Sequence, residues 1–146
     1  MENLNVTPAD GVNPEILAAL RVEAMRPSLE AVGRFDPESA RQRFLDSYSA
    51  ADTRLIHAGH VLIGFYVLRQ LPDHIYLNHI YIEAAHQGGG AGRSILTTIQ
   101  DQARAAGLPV RLRALGGSPA NDFYASCGFV CERSDALDNY YIWEPT

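Results

Sequence analysis

Gln87-Gly88-Gly89-Gly90-Ala91-Gly92-Arg93 is the stretch on which the reading of this chain turns. Backbone without side chains can approach a ligand closely and point several N–H groups at one anion. Upstream, His74 to Ile82 is rich in β-branched and aromatic residues, which predicts a strand running into the glycines. Downstream, Ile95, Leu96, Ile99, Ala103 and Ala106 make one apolar helical face that stops at Gly107, with Pro109 beyond. Val110 to Leu115 then reads as a strand. Strand, helix, strand is a crossover that makes the two strands parallel with a right-handed connection. A phosphate is the natural occupant of a glycine turn opening a helix. For a glycine cluster alone, a plain flexible connection is an equal reading. A P-loop would close with Gly-Lys-Ser/Thr where this chain has Gly92-Arg93-Ser94, and no frame supplies GxGxxG. Both common phosphate motifs are therefore excluded.

Outward from this centre, Thr53 to Ala58 and His60 to Arg69, separated by Gly59, predict a hairpin whose second strand is apolar on both faces and hence central. Toward the N-terminus, Ile16, Leu17, Leu20 and Met25 recur at helical spacing from Pro14, with Asn13 as cap; Pro27 disfavours the helix continuing. Asp36-Pro37-Glu38-Ser39 reads as a cap, a first-turn proline and an acidic first turn, leading a second helix to Phe44, Leu45 and Tyr48. Two short helices are thus expected before the first long strand. Toward the C-terminus, Ser118 to Ser126 predicts a short helix ending at Gly128, and Phe129 to Arg133 with Asn139 to Trp143 an antiparallel pair. The fold class is mixed α/β. No repeat, low-complexity tract or long linker divides the chain, so residues 1–146 are read as one domain.

Of 146 residues, 47% are hydrophobic and 20% charged, with 12 Lys+Arg against 17 Asp+Glu and a net charge of -5. That balance argues against holding nucleic acid or an anionic membrane through bulk charge, and favours a cationic or neutral substrate. The longest apolar run, Val61 to Leu68, falls far short of the ~20 residues of a spanning helix, and Met1-Glu2-Asn3 opens without a basic, apolar signal segment. A cytoplasmic protein with no membrane partner is the expectation. Cys127 and Cys131 match neither a CxxC pair nor a zinc half-site, and His57 and His60 lack a ligand pattern, so no metal is expected.

Ile82-Glu83-Ala84 followed by Gln-x-x-Gly-x-Gly, and further on Ala120-Asn121-Asp122-Phe123-Tyr124-Ala125-Ser126-Cys127-Gly128-Phe129, together resemble the GNAT superfamily of acetyl-CoA-dependent N-acetyltransferases. The resemblance covers Leu55 to the C-terminus in detail and the early helices in number and order. Ala84 stands where the family has proline, and Gly117 where many members have asparagine. The resemblance implies a mostly antiparallel sheet of six to seven strands with a central, splayed parallel pair and about four helices. It also implies acetyl-CoA as cosubstrate, a primary amine acceptor on a small molecule or polypeptide, and attack in a ternary complex. The family's members are often homodimers.

Carried over position by position, the resemblance puts the coenzyme A pyrophosphate on the N–H groups of Gly88, Gly89, Gly90, Ala91, Gly92 and Arg93. Gln87 would fix the loop or donate to phosphate. Pantetheine would pair like an added strand with the backbone of Ile80, Tyr81 and Ile82, with Asn121 and Tyr124 also at the cofactor. The Ile80 N–H would donate to the acetyl carbonyl, and the Tyr124 phenol to the departing thiolate. The stretch from Arg26 through Glu30 to Phe35 and Asp36 would wall the acceptor pocket.

A lysine-like amine must lose a proton at a cost of about 4.6 kcal/mol at pH 7, so it needs a base. Alternation puts Tyr76, Asn78 and Ile80 on one face of the strand and His79 and Tyr81 on the other. No carboxylate lies on the first face, and a water held by Tyr76 or Asn78 is the favoured relay; a bulge would bring His79 into contention. A non-catalytic acyl-CoA sensor on the same fold is the rival reading, and a nucleotide-binding interaction domain a weaker third.

Overall fold

The computed structural model describes residues 4–88 and 90–145. The chain folds as β1 (Leu4–Pro8), α1 (Pro14–Ala31), α2 (Pro37–Ser47), β2 (Thr53–Ala58), β3 (Val61–Gln70), β4 (Ile75–Ile82), α3 (Ala91–Ala106), β5 (Val110–Leu115), α4 (Ala120–Ser126), β6 (Val130–Ser134) and β7 (Asp138–Trp143). The strands form one seven-stranded sheet in the order β1-β2-β3-β4-β5-β7-β6. It is mixed: β4 and β5 are parallel, while β1/β2, β2/β3, β5/β7 and β6/β7 are antiparallel. The expected parallel pair and closing antiparallel pair are both present. The β4/β5 ladder consists of two residue pairs, Ile75↔Val110 and Tyr76↔Arg111, at the N-terminal ends of both strands.

The described chain divides into two compact units, one of residues up to Val67 with His79–Ala91, the other of Leu68–Asn78 with Gly92 onward. In the first, α1 and α2 cover the β1–β3 strands. Leu17 and Ala18 of α1 and Phe44 of α2 are buried together with Ala9, Leu55, Phe65 and Val67. Arg21 reaches from α1 to the Ala40 carbonyl at 2.9 Å, and Arg41 Nε donates to Glu15 Oε2 at 2.8 Å. The cap of α2 is the expected one, Asp36 accepting from the Ser39 N–H at 3.2 Å.

Two elements differ from expectation. Helix α1 runs on through Pro27 to Ala31. The proline removes one backbone hydrogen bond, yet the helix continues past it, with Met25 and Leu29 on either side half-buried. A strand also precedes the helices: β1 is edge chain held by five pairs to β2, Leu4↔Ala58 to Pro8↔Arg54.

In the second unit, α3 buries Ile95, Leu96, Ile99 and Ala103, as its apolar stripe requires. It ends in a Schellman motif: Leu108 N–H bonds the Ala103 carbonyl at 3.0 Å and Gly107 N–H that of Arg104 at 3.1 Å, with Gly107 at φ 69°. Val110, Leu112, Ala114, Leu115, Tyr124, Phe129, Tyr141 and Trp143 are buried in this unit too, with Ile75 and Leu77.

Candidate functional site

The first unit carries the end of β4 and the glycine turn. Along β4, Ile75 and Leu77 are buried, and the alternation then gives way to three half-buried residues, His79, Ile80 and Tyr81, before buried Ile82. His79 Nδ1 and the Tyr81 hydroxyl share a hydrogen bond at 3.0 Å, with their rings stacked at 5.5 Å. Both face the aromatic cluster, His79 against Phe44 at 5.8 Å and Tyr81 against Phe65 at 5.3 Å. Period two therefore holds from His79 to Tyr81, and the ring of His79 is committed to this packing. Gly64 of β3 lies directly under the Tyr81 carbonyl, too close for a methyl group, and 3.1 Å separates its absent Cβ from Ile82 Cα. Opposite Gly64, the β2/β3 register shifts between Ile56 and His57. The Ile63 carbonyl takes the Glu83 N–H at 2.7 Å, closing β4 onto β3.

After β4, one helical turn at Ala84–His86 leads to Gln87, whose amide donates to the Ile82 carbonyl at 2.7 Å. Of its two expected roles, this is the fixing of the loop. Gly88 (φ 82°) and Gly90 (φ 88°) lie in the left-handed region, and among the described residues no atom outside the turn's own neighbouring positions stands within 4 Å of where their Cβ would be. α3 begins at Ala91, so the N–H groups of its first turn have no carbonyl partner within the helix. Exposed glycine faces at the positive end of a sixteen-residue helix fit a phosphate group. Gly89 lies outside the described residues.

The second unit carries the other half of the predicted set. Tyr76 pairs with Arg111 in the parallel ladder and packs edge-on against His74 at 6.3 Å, and Asn78 follows half-buried on the same face. His74 Nδ1 lies 2.7 Å from Asp73 Oδ1, and that hydrogen bond holds the Asp73 carboxyl below its ordinary range. Tyr124 is 8% exposed and packs against Phe123, Phe129 and Tyr141, with ring centroids 5.5, 5.9 and 6.1 Å away. Asn121 is a structural hub. Its Nδ2 donates to the carbonyls of Leu115 and Ser118, both at 2.9 Å, and its Oδ1 accepts from Asn139 Nδ2 and the Tyr141 hydroxyl, both at 2.8 Å. Arg93 turns its guanidinium to the end of α4, with Nη2 2.8 Å from Ser126 Oγ. Its backbone remains in the first turn of α3. Sequence reasoning missed Gly64, Asn139 and Ser126; of these only Gly64, a glycine inside an apolar strand, announces itself locally.

Of the expected acceptor-side residues, Arg26 and Phe35 are brought together, the guanidinium 4.5 Å above the ring. Glu30 is exposed, and its carbonyl accepts the Gly33 N–H at 3.0 Å. Among the described residues, no three His, Cys, Asp or Glu side chains are grouped to hold a metal ion, and no helix is long and apolar enough to cross a membrane.

Comparison with known proteins places this geometry in a class. The family described as acetyltransferase (GNAT) family matches residues 18–129, and the chain belongs to it. No curated protein matches the chain. Among solved structures, the PaiA N-acetyltransferase from Thermoplasma acidophilum, in complex with coenzyme A, is similar at TM-score 0.76 and 17% identity over 97% of this chain and 99% of that one. An acetyltransferase from Thermus thermophilus is similar at TM-score 0.68 and 22% identity over 99% of both chains. Ard1 from Thermoplasma volcanium is similar at TM-score 0.64 and 15% identity over 97% and 96%. These likenesses are likenesses of fold.

Proposed function

We propose that the protein moves the acetyl group of acetyl-CoA to a primary amine, on a small molecule or at a polypeptide terminus, by direct attack in a ternary complex. The observation that carries this reading is the turn after β4. Gln87 is tied to the Ile82 carbonyl, Gly88 and Gly90 sit at positive φ, and α3 starts at once, in a chain of the GNAT family. A fold relative in complex with coenzyme A supports it.

The diphosphate of the coenzyme would be gripped by the N–H groups from Gly88 to Arg93, where the helix dipole adds its partial positive charge. Pantetheine would extend along the backbone of Ile80–Ile82 in the manner of an added strand. The amine nitrogen attacks the thioester carbon, and the carbonyl oxygen gains charge that the Ile80 N–H would stabilise. As the C–S bond breaks, the sulfur takes its proton from the Tyr124 hydroxyl. The proton lost by the amine passes to a water held by Tyr76 or Asn78; His79 is engaged with Tyr81. The free thiols of Cys127 and Cys131 suit a reducing compartment such as the cytoplasm.

Release of free coenzyme A thiol, measured with acetyl-CoA and a panel of amine classes, tests the reading. Amine-dependent release with one class favoured is expected. Coenzyme binding without amine-dependent release would replace the enzyme with a sensor of acyl-CoA.

A further inference from the structure

We propose that a groove on the first unit binds a small hydrophobic organic cation, an alkyl- or arylalkylammonium, as a site separate from the acetyl-transfer chemistry. The groove has a volume of ≈ 580 Å³ and is lined by Ile16, Ala19, Leu20 and Glu23 of α1, Leu62 of β3 and Glu83 after β4. That volume is within the range of small-molecule sites.

Its origin is visible in α1. Leu17 and Ala18 are fully buried in the core, whereas Ile16, one position earlier, is 49% exposed. Positions 16, 19, 20 and 23 follow the i, i+3, i+4, i+7 spacing, so they form a second stripe on the same helix, apolar for just over one turn and ending in a carboxylate. The fold buries the first stripe in its core; of the second, Leu20 also packs partly against that core, while Ile16 and Ala19 are left exposed along the groove. Leu62 faces this stripe from the sheet, and Glu83 supplies a second carboxylate.

Among the described residues, the lining is therefore apolar with two anionic groups and no basic side chain. Glu23 meets Arg26 at 3.1 Å, but that guanidinium is also held over the Phe35 ring, and His86 stands 3.9 Å from Glu83. A carboxylate accepts at about four lone-pair sites, so both retain capacity for an ammonium donor. The apolar stripe selects a hydrocarbon body and the two carboxylates select a positive charge. An anion of the same shape is repelled, and a neutral isostere forgoes the charge.

The test is a titration of the isotope-labelled full chain, without acetyl-CoA, by n-hexylammonium chloride, with hexan-1-ol and hexanoate as matched probes, followed by amide chemical shifts. Saturable shifts at Ala19, Leu20, Leu62 and Glu83 are expected, with hexylammonium binding about 10-fold tighter than hexanol and hexanoate not at all. Combined Glu23→Gln and Glu83→Gln should bring hexylammonium to the level of hexanol with the remaining spectrum unchanged, and added salt should weaken the wild-type binding. Equal binding of hexanol and hexylammonium, shifts centred elsewhere, or an unaltered affinity in the double variant would each overturn the proposal.

Discussion

Gly64 and Tyr81 meet backbone to backbone: a methyl group on Gly64 would run into the Tyr81 carbonyl oxygen. No side-chain rotation relieves that contact. Gly64→Ala should therefore cost about 1–3 kcal/mol or more in urea unfolding, the range for overpacking, by forcing β3 from the end of β4. On the proposed reading it should also raise the KM for acetyl-CoA, because Ile80–Ile82 would shift. An unchanged midpoint would show that the strands can part there freely.

Asn121 is satisfied on both ends of its amide by Leu115, Ser118, Asn139 and Tyr141. Asn121→Ala strands partners that are buried or half-buried and should destabilise by about 1–3 kcal/mol; Tyr141→Phe removes one donor and should cost about 1 kcal/mol or less. Since they share a bond, thermal denaturation of the double variant should show less than the sum.

Tyr124→Phe keeps the ring that packs on Phe129 and Tyr141 and deletes the hydroxyl. If the phenol protonates the thiolate, kcat should fall by about 10²-fold with little change in the Kd for acetyl-CoA, measured by steady-state kinetics and equilibrium binding. Unchanged turnover would remove the acid role.

Gly88 has open space where a Cβ would go but a φ of 82°. Gly88→Ala should thus cost about 1–2 kcal/mol from the left-handed backbone alone and weaken acetyl-CoA binding if the turn holds the diphosphate. Calorimetric titration with coenzyme A separates the two effects.

Asp135 caps the β6–β7 turn, accepting from the Leu137 and Asp138 N–H groups at 2.9 and 2.7 Å and from the Tyr140 hydroxyl at 2.7 Å. Led by the Asp138 N–H, these donors hold its carboxyl down to about 2, from an ordinary 3.8. A depressed folded value means stabilisation present above the unfolded value and lost as pH falls through the folded one. The advantage of the wild type over Asp135→Asn, read from urea midpoints, should be full at pH 6 and shrink from about 3.8 toward about 2. An advantage flat across that window would place the carboxylate outside the turn's energetics.

The crossover was legible because the apolar period changes from strand to helix across the glycines, and α2 because Asp36-Pro37 is a complete local signal. β1 was not, since Leu4–Pro8 is mostly exposed and exists through its pairing with β2. The run of α1 past Pro27 likewise goes against the local rule that a proline ends a helix. In the site, the glycine turn is written in consecutive residues. The partner of Arg93 lies 33 positions away at Ser126, and Asn121 reaches Tyr141 across 20, distances only the folded chain closes.

The bond from Arg93 to Ser126 has a companion further along the same helix, Gln100 Nε2 to the Cys127 carbonyl at 2.9 Å. Two rivets of this kind lock α3, at its first turn and past its middle, to the C-terminal end of the helix bearing Tyr124. Amide protons in both helices should exchange with solvent at a common rate, as parts of one cooperative opening. Loosening either rivet would then be felt at both sequence motifs together, although neither rivet belongs to the reacting groups.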